Sequence, residues 1–273
     1  MKILHTADWH LGKRLDIYSR MKEQQEVMEE ICSIASNEKV DVVLIAGDLF
    51  DTYNPSAEAE DLLYNILVKL SDHGNRAVIA IAGNHDAPDR IDAPNTMAMA
   101  NGIFLAGYPD HKMREFTNDK GIQILRSDEG FIELKIPSAS HPLRLIMTPY
   151  ANELRMKTYL GDGVGAINEM LAQKWRSLAE KYCDDKGVNI LMAHLFFMKK
   201  GSTLEKEDDG ERSILHVGGA QPIFSENIPK QMQYVALGHL HRFHAIDNDT
   251  CPIVYSSSPL CYSFAEAGQI KKV

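Results

Sequence analysis

Apolar and polar positions along the 273-residue chain fall into two alternating rhythms. The clearest is Val40–Asp51, where Val40, Val42, Val43, Leu44 and Ile45 form a nearly continuous β-branched and aliphatic run. Such a run predicts a strand covered on both faces of a sheet. It breaks at Ala46-Gly47, and a carboxylate, Asp48, follows at the strand's C-terminal end. Lys2–Thr6 reads as an earlier strand, and Ala77–Ala82 as a later one. Between them, Val27, Ile31 and Ile34 recur at helical spacing after Ser19, and Ala59, Leu62, Leu63, Ile66, Leu67 and Leu70 form a wider apolar stripe. Asn54 is expected to cap that second helix with Pro55 in its first position. A β–helix–β–helix–β order implies parallel strands joined by helical crossovers.

Beyond Pro88–Asn101, which reads as a short helix rich in Ala, Met and Pro, the rhythm changes. Ile103–Leu105, Gly121–Leu125, Phe131–Ile136 and Leu143–Met147 read as strands without long helices between them, which predicts a second, partly antiparallel sheet packed on the first. Gly163–Tyr182 carries Ile167, Leu171, Trp175, Leu178 and Tyr182 on one side of a helix. Val188–Ala193, Tyr234–Leu237, Ile253–Ser257 and Ile270–Val273 read as further strands, and the acidic stretch 201–210 as a surface loop. The fold class expected is α/β, a two-sheet sandwich with helices outside. Length fits one large domain.

Composition narrows the setting only slightly. Hydrophobic and charged fractions of 44% and 25% are those of a globular protein. Cys32, Cys183, Cys251 and Cys261 are scattered without a C-x-x-C pair, so neither a thiolate metal site nor a disulfide framework is indicated, and a reducing cytoplasm is the simplest setting. No run approaches membrane-spanning length, and the polar N-terminus does not read as a signal peptide. The net charge of −9 argues mildly against nucleic acid, but bound divalent cations would change the local field.

The chemistry recurs where strands end. Asp8-x-His10, Asp48 and Asp51, Asn84-His85-Asp86, His194 and His239-x-His241 each follow an apolar run. In α/β folds ligands gather beyond such strand ends. Any one Asp or His there is more often a turn residue; the recurrence carries the argument. Carboxylate, imidazole and amide oxygen together suit Mn²⁺, Fe²⁺ or Zn²⁺. The donors are too many for one ion, so a binuclear site with a bridging carboxylate is expected. His5, His73, His111, His141, His216 and His244 stand outside these groups and read as surface or satisfied core residues. Lys13, Arg14, Arg20 and Arg242 are either solvated or phosphate contacts.

In order and type, D-x-H, G-D-x-x-D, G-N-H-D, a lone His and G-H-x-H between Asp8 and His241 resemble the signature of calcineurin-like metallophosphoesterases. Further blocks resemble, within that superfamily, the nuclease subunits of DNA double-strand-break repair complexes: His5–Lys13, Ser19–Gln24, Gly47–Thr52, Ala236–Arg242 and Tyr255–Leu260. The resemblance implies a four-layer αββα sandwich. It implies one metal on Asp8, His10, Asp48 and His241, and a second on Asp48, Asn84, His194 and His239, with Asp48 bridging. His85 would be the catalytic histidine, oriented by Asp51 through a hydrogen bond. Mn²⁺ is the ion implied, DNA the substrate, and an ATPase subunit the partner, in a heterotetramer containing two copies of the nuclease. Relatives continue into a capping region and an ATPase-docking segment, so residues 1–273 are expected to be the catalytic core alone. Ser257 stands where the family pattern leads one to expect glycine, a residue able to take positive φ.

Other functions remain in view. A metallophosphatase or cyclic-nucleotide phosphodiesterase could share the fold, since fold does not fix substrate. Protein Ser/Thr phosphatases continue G-D-x-V-D with Arg-Gly, whereas Thr52-Tyr53 follows here. A non-catalytic scaffold would have lost ligands, and the set is complete.

Overall fold

The computed structural model describes residues 1–158, 165–202, 222–246 and 250–273, so most of the acidic stretch, and His216, lie outside the described residues. Four strands form the first sheet: β1 (Ile3–Thr6), β2 (Val42–Ile45), β3 (Ala77–Ile81) and β4 (Ile103–Ala106), parallel and in that order. The second sheet has seven strands: β5 (Gln123–Asp128), β6 (Phe131–Lys135), β7 (Leu143–Thr148), β8 (Val188–His194), β9 (Tyr234–Gly238), β10 (His244–Ile246) and β11 (Ile253–Tyr255). Its order is β10-β11-β9-β8-β7-β6-β5, parallel through the centre and antiparallel toward both edges.

Side-chain alternation along these strands builds three apolar layers. Val42, Leu44, Ile79, Ile81 and Phe104 point from the first sheet onto Leu134, Leu145, Met147, Ile190 and Met192 of the second. Their neighbours Val43, Ile45, Val78 and Leu105 point the other way, onto helix α1 (Met21–Asn37) and helix α2 (Ala57–Leu70). On the far side, Leu191, Ala193, Val235 and Tyr255 meet Leu171, Trp175 and Leu178 of helix α3 (Ala166–Tyr182). The result is the four-layer α/β/β/α sandwich. Each large aliphatic side chain buried this way contributes roughly 1.5–3 kcal/mol.

Several sequence expectations are corrected. β4 completes the first sheet instead of opening the second, because two short helices, Pro88–Asp92 and Asn95–Ala100, already supply its crossover. Helix α2 starts later than Asn54-Pro55 suggested: Ser56 is its N-cap, with its hydroxyl accepting from Ala59 N at 3.3 Å. Asn54 instead accepts from Arg90. Ile270–Val273 is irregular, and β10 is a strand the pattern did not show. His5, buried between the sheets, bonds the Tyr234 hydroxyl at 3.0 Å and Leu237 O at 3.1 Å, a satisfied core histidine.

Candidate metal centre

The C-terminal ends of β1, β2, β3, β8 and β9 converge, and every candidate ligand lies at such an end or in the loop beyond it. Four of these, Asp8, His10, Asp48 and His239, have φ of 56°, 45°, 51° and 104°. Asp8 and His10 thus both take left-handed backbone. Non-glycine residues held there cost roughly 1–3 kcal/mol each and persist only when their surroundings over-determine them.

Hydrogen bonds supply that constraint. Asp8 N donates to Gly47 O and His10 N to Asp48 O, both at 2.9 Å, zipping the two loops together. Gln24 Nε2, from α1, reaches His10 O at 2.8 Å, and its Oε1 takes Gly12 N at 3.0 Å. Asp86, fully buried, accepts from Leu49 N, Phe50 N and Gly83 N at 3.0, 2.9 and 2.8 Å. Arg155, also buried, donates to Gly83 O and Asp86 O, bracketing Asn84-His85. Close packing explains the glycines before the ligands. A Cβ on Gly47 would sit 2.2 Å from the His194 ring, and one on Gly83 2.1 Å from Asp48 Oδ1.

Polar atoms crowd the centre. His10 Nε2 faces His241 Nε2 at 2.9 Å and lies 3.6 Å from Asp48 Oδ2. His194 Nε2 lies 2.9 Å from Asn84 Oδ1 and 3.4 Å from the same Asp48 oxygen. Asp8 with His10 and His241, and Asp8 with Asp48 and His194, each bring their ligand atoms within 4.8 Å. The Asp8 carboxylate accepts from His239 N at 2.9 and 3.1 Å, and the His239 ring stands 5.5 Å from that of His194. His85 N donates to Asp48 Oδ1 at 2.8 Å, and its ring is 4.7 Å from that of His10.

Asp51 reaches His85 through its backbone. His85 Nδ1 bonds the Asp51 backbone carbonyl at 2.7 Å, not the carboxylate. The carboxylate takes Lys13 Nζ at 2.8 Å and lies 3.6 Å from His10 Nδ1, a buried nitrogen with no hydrogen-bond partner. The phosphate-contact candidates are partly engaged: Lys13 with Asp51, Arg20 with Glu23 and Cys261 O, Arg14 with Ile17 O.

The electrostatics call for positive charge. Burial pushes the Asp8 carboxyl up to about 7, despite the attraction of His194 and His241. Burial holds His10 down at about 3. For Asp48 burial is outweighed by the His194 charge, which holds the carboxyl well below its usual range. Burial would lower His194, but Asp48 outweighs it and raises the imidazole to about 9. Two acids buried this closely ionise together only beside a cation. The donors present are oxygens and imidazole nitrogens without thiolate, a set that fits divalent ions of the Mn²⁺, Fe²⁺ or Zn²⁺ kind.

Residues 1–243 match the family model for calcineurin-like phosphoesterases, and the chain belongs to that family. It is 38% identical over 279 residues to a Bacillus subtilis (strain 168) protein named as the SbcD component of the nuclease SbcCD, covering 100% of this chain and 65% of that one. The chain therefore spans about two thirds, 65%, of the length of that relative. A dimetal phosphatase from Danio rerio aligns with a TM-score of 0.45 at 10% identity, over 94% of this chain and 86% of that one. GAP50, the anchor in the inner membrane complex of Plasmodium, aligns at 0.47 and 12%, over 94% and 71%. Among the described residues, no helix is long and apolar enough to cross a membrane.

The sequence pattern names candidate ligands but gives no role to Gln24, Asp86 and Arg155, which hold the loops that carry them. Asp86 belongs to a motif already singled out, and Gln24 closes the Ser19–Gln24 block; Arg155 carries no local signal.

Proposed function

We propose that this chain is the phosphoesterase core of an SbcD-like, metal-dependent DNA nuclease that acts with an SbcC-type ATPase in DNA end processing, recombination and repair. The observation that carries the reading is the 38% identity, over all of this chain and 65% of the relative, to a protein named as a nuclease component, joined to candidate ligands that gather at strand ends. The activities proposed are 3′–5′ exonuclease action on duplex DNA and endonuclease action on single strands and hairpins. The cytoplasm is the proposed location, and two copies in a heterotetramer with the ATPase the proposed assembly.

Asp8, His10, Asp48 and His241 are assigned to one ion, and Asp48, Asn84, His194 and His239 to the other. Such an ion pair supplies activated water and neutralises charge on phosphoryl oxygens. The chain's own residues do the rest. Asp48 offers one oxygen toward both His10 and His194, which suits a shared ligand. Asp51 O fixes His85 Nδ1–H, leaving Nε2 to hold the proton that a departing 3′-oxygen needs. Asp51, which the resemblance makes the orienter of His85, serves that role through its carbonyl, while its carboxylate is placed to steady His10 and Lys13.

A Mn²⁺-dependent assay on single-stranded, duplex and hairpin DNA beside a chromogenic phosphodiester tests the reading. Hydrolysis of the small ester with no DNA cleavage would favour the phosphodiesterase alternative. In the same assay His85→Ala should lose ~10²–10⁴-fold in rate while keeping both ions. Asp48→Ala should lose both ions, read by metal analysis, and a metal-free His85→Ala protein would overturn the role given to His85.

A further inference from the structure

Three histidines of the centre, His194, His85 and His241, have Nδ1 facing an acceptor, and the acceptors differ. His194 Nδ1 bonds Ala46 O at 2.8 Å and His85 Nδ1 bonds Asp51 O at 2.7 Å, both backbone carbonyls. His241 Nδ1 faces a carboxylate, Glu266 Oε1, at 3.4 Å. That glutamate sits in a short turn, Phe264–Glu266, whose burial is inverted: Phe264 is 86% exposed and Glu266 0%. Burying a carboxylate while leaving a phenyl ring in water is costly unless the charge is paired.

It is paired thoroughly. Glu266 Oε1 accepts from Tyr262 N and Ser263 N at 3.0 Å each, and Oε2 takes Lys271 Nζ at 2.6 Å. Lys271 Nζ also donates to His241 O at 2.8 Å, so the two residues grip His241 by its ring and its backbone. Tyr262 closes the same side, its ring 5.4 Å from that of His10 and its hydroxyl on Trp9 O. With Nδ1–H turned to Glu266, His241 presents Nε2 to the point it shares with His10 Nε2.

We propose that Glu266, balanced by Lys271, is a positioning residue for the metal centre, fixing the Nδ1–H tautomer of His241 and delivering its Nε2 lone pair to the ion held with Asp8 and His10. The proposal rests on the metal reading of the site. Carboxylates that orient a coordinating histidine typically change metal affinity by about 10–100-fold when removed.

The test is a Mn²⁺ titration of chelator-stripped protein, wild type against Glu266→Gln, followed by calorimetry and Mn²⁺ electron paramagnetic resonance. Two classes of site are expected in the wild type, with one weakened about 10–100-fold in Glu266→Gln and the other unmoved. His241→Ala should weaken that same class. Should Glu266→Gln not fold, nitrogen-15 NMR of the Zn²⁺-loaded wild type decides instead: His241 is expected protonated at Nδ1 and bare at Nε2. Unaltered two-site binding in folded Glu266→Gln, or a His241 protonated at Nε2, overturns the positioning role and leaves the metal reading standing. A wild type that binds no Mn²⁺ overturns both.

Discussion

Two carboxylates, Asp86 and Glu266, are both fully buried beside the centre, yet their surroundings drive them in opposite directions. Asp86 faces backbone N–H groups and the nearby Asp48 charge; burial, then Asp48, pushes it up to about 6. For Glu266, burial is outweighed by hydrogen bonds from His241 and Lys271, which bring it down to about 2. Asp86 ties together two loops whose register the first sheet has already set. Glu266 pins an irregular segment to His241, a candidate ligand beyond the end of β9. Fixed dipoles serve where the backbone is pre-arranged; a full countercharge serves where it is not.

The largest effect is expected at Asp86. Asp86→Ala strands three buried N–H donors, at about 1–3 kcal/mol each before relaxation. A loss of several kcal/mol in urea unfolding is expected, together with weakened metal binding at both sites. A stability loss under about 1 kcal/mol would show that water replaces the carboxylate and that Asp86 is not the tie.

Removing the countercharge comes next. Lys271→Met leaves Glu266 buried against backbone donors and His241, and about 2–3 kcal/mol should be lost, since an unpaired buried charge is expensive. The double variant Lys271→Met/Glu266→Gln should recover part of that loss. No recovery would mean that Lys271 acts through its bond to His241 O, not through charge.

Acid separates the pair by sign in metal-free protein. Glu266 titrates lower folded than unfolded, so its contribution is complete above about 4.5 and disappears as pH falls toward about 2. Asp86 titrates higher folded than unfolded, so its cost is absent below about 3.8 and grows as pH rises through about 6. The stability gap between wild type and Glu266→Gln should therefore narrow from pH 4.5 to 2, and Asp86→Asn should gain on wild type from pH 4 to 6. Parallel pH curves for wild type and both variants would contradict the assignment.

The smallest effect is expected at the anchor of Lys271. Ser257 has φ of 93°, the conformation for which glycine was expected, and its hydroxyl exchanges hydrogen bonds with Lys272 N at 2.9 Å and Lys272 O at 3.2 Å. Ser257→Gly relieves strain and forfeits those bonds, two terms of about 1 kcal/mol that nearly cancel. Ser257→Ala keeps the strain and loses the bonds, so it should be less stable than Ser257→Gly by about 1 kcal/mol in thermal unfolding.

What the sequence determined by itself was whatever local repetition encodes. β-Branched runs announced the buried strands, helical spacing marked α1, α2 and α3, and the recurrence of Asp, Asn and His beyond strand ends named the candidate ligands. Signals weakened where packing overrides pattern. The alternation at Ile270–Val273 did not become a strand, and β4 joined the sheet that geometry allowed and not the one its neighbours suggested. Only tertiary structure decided that Asp51 meets His85 through its carbonyl, that Asp86 and Arg155 bracket Asn84-His85, and that Glu266 reaches His241 across 25 residues of chain. The reason is physical. A ligand's identity is written in one side chain, but its orientation is set by donors and acceptors from distant segments, which meet only once the two sheets have packed.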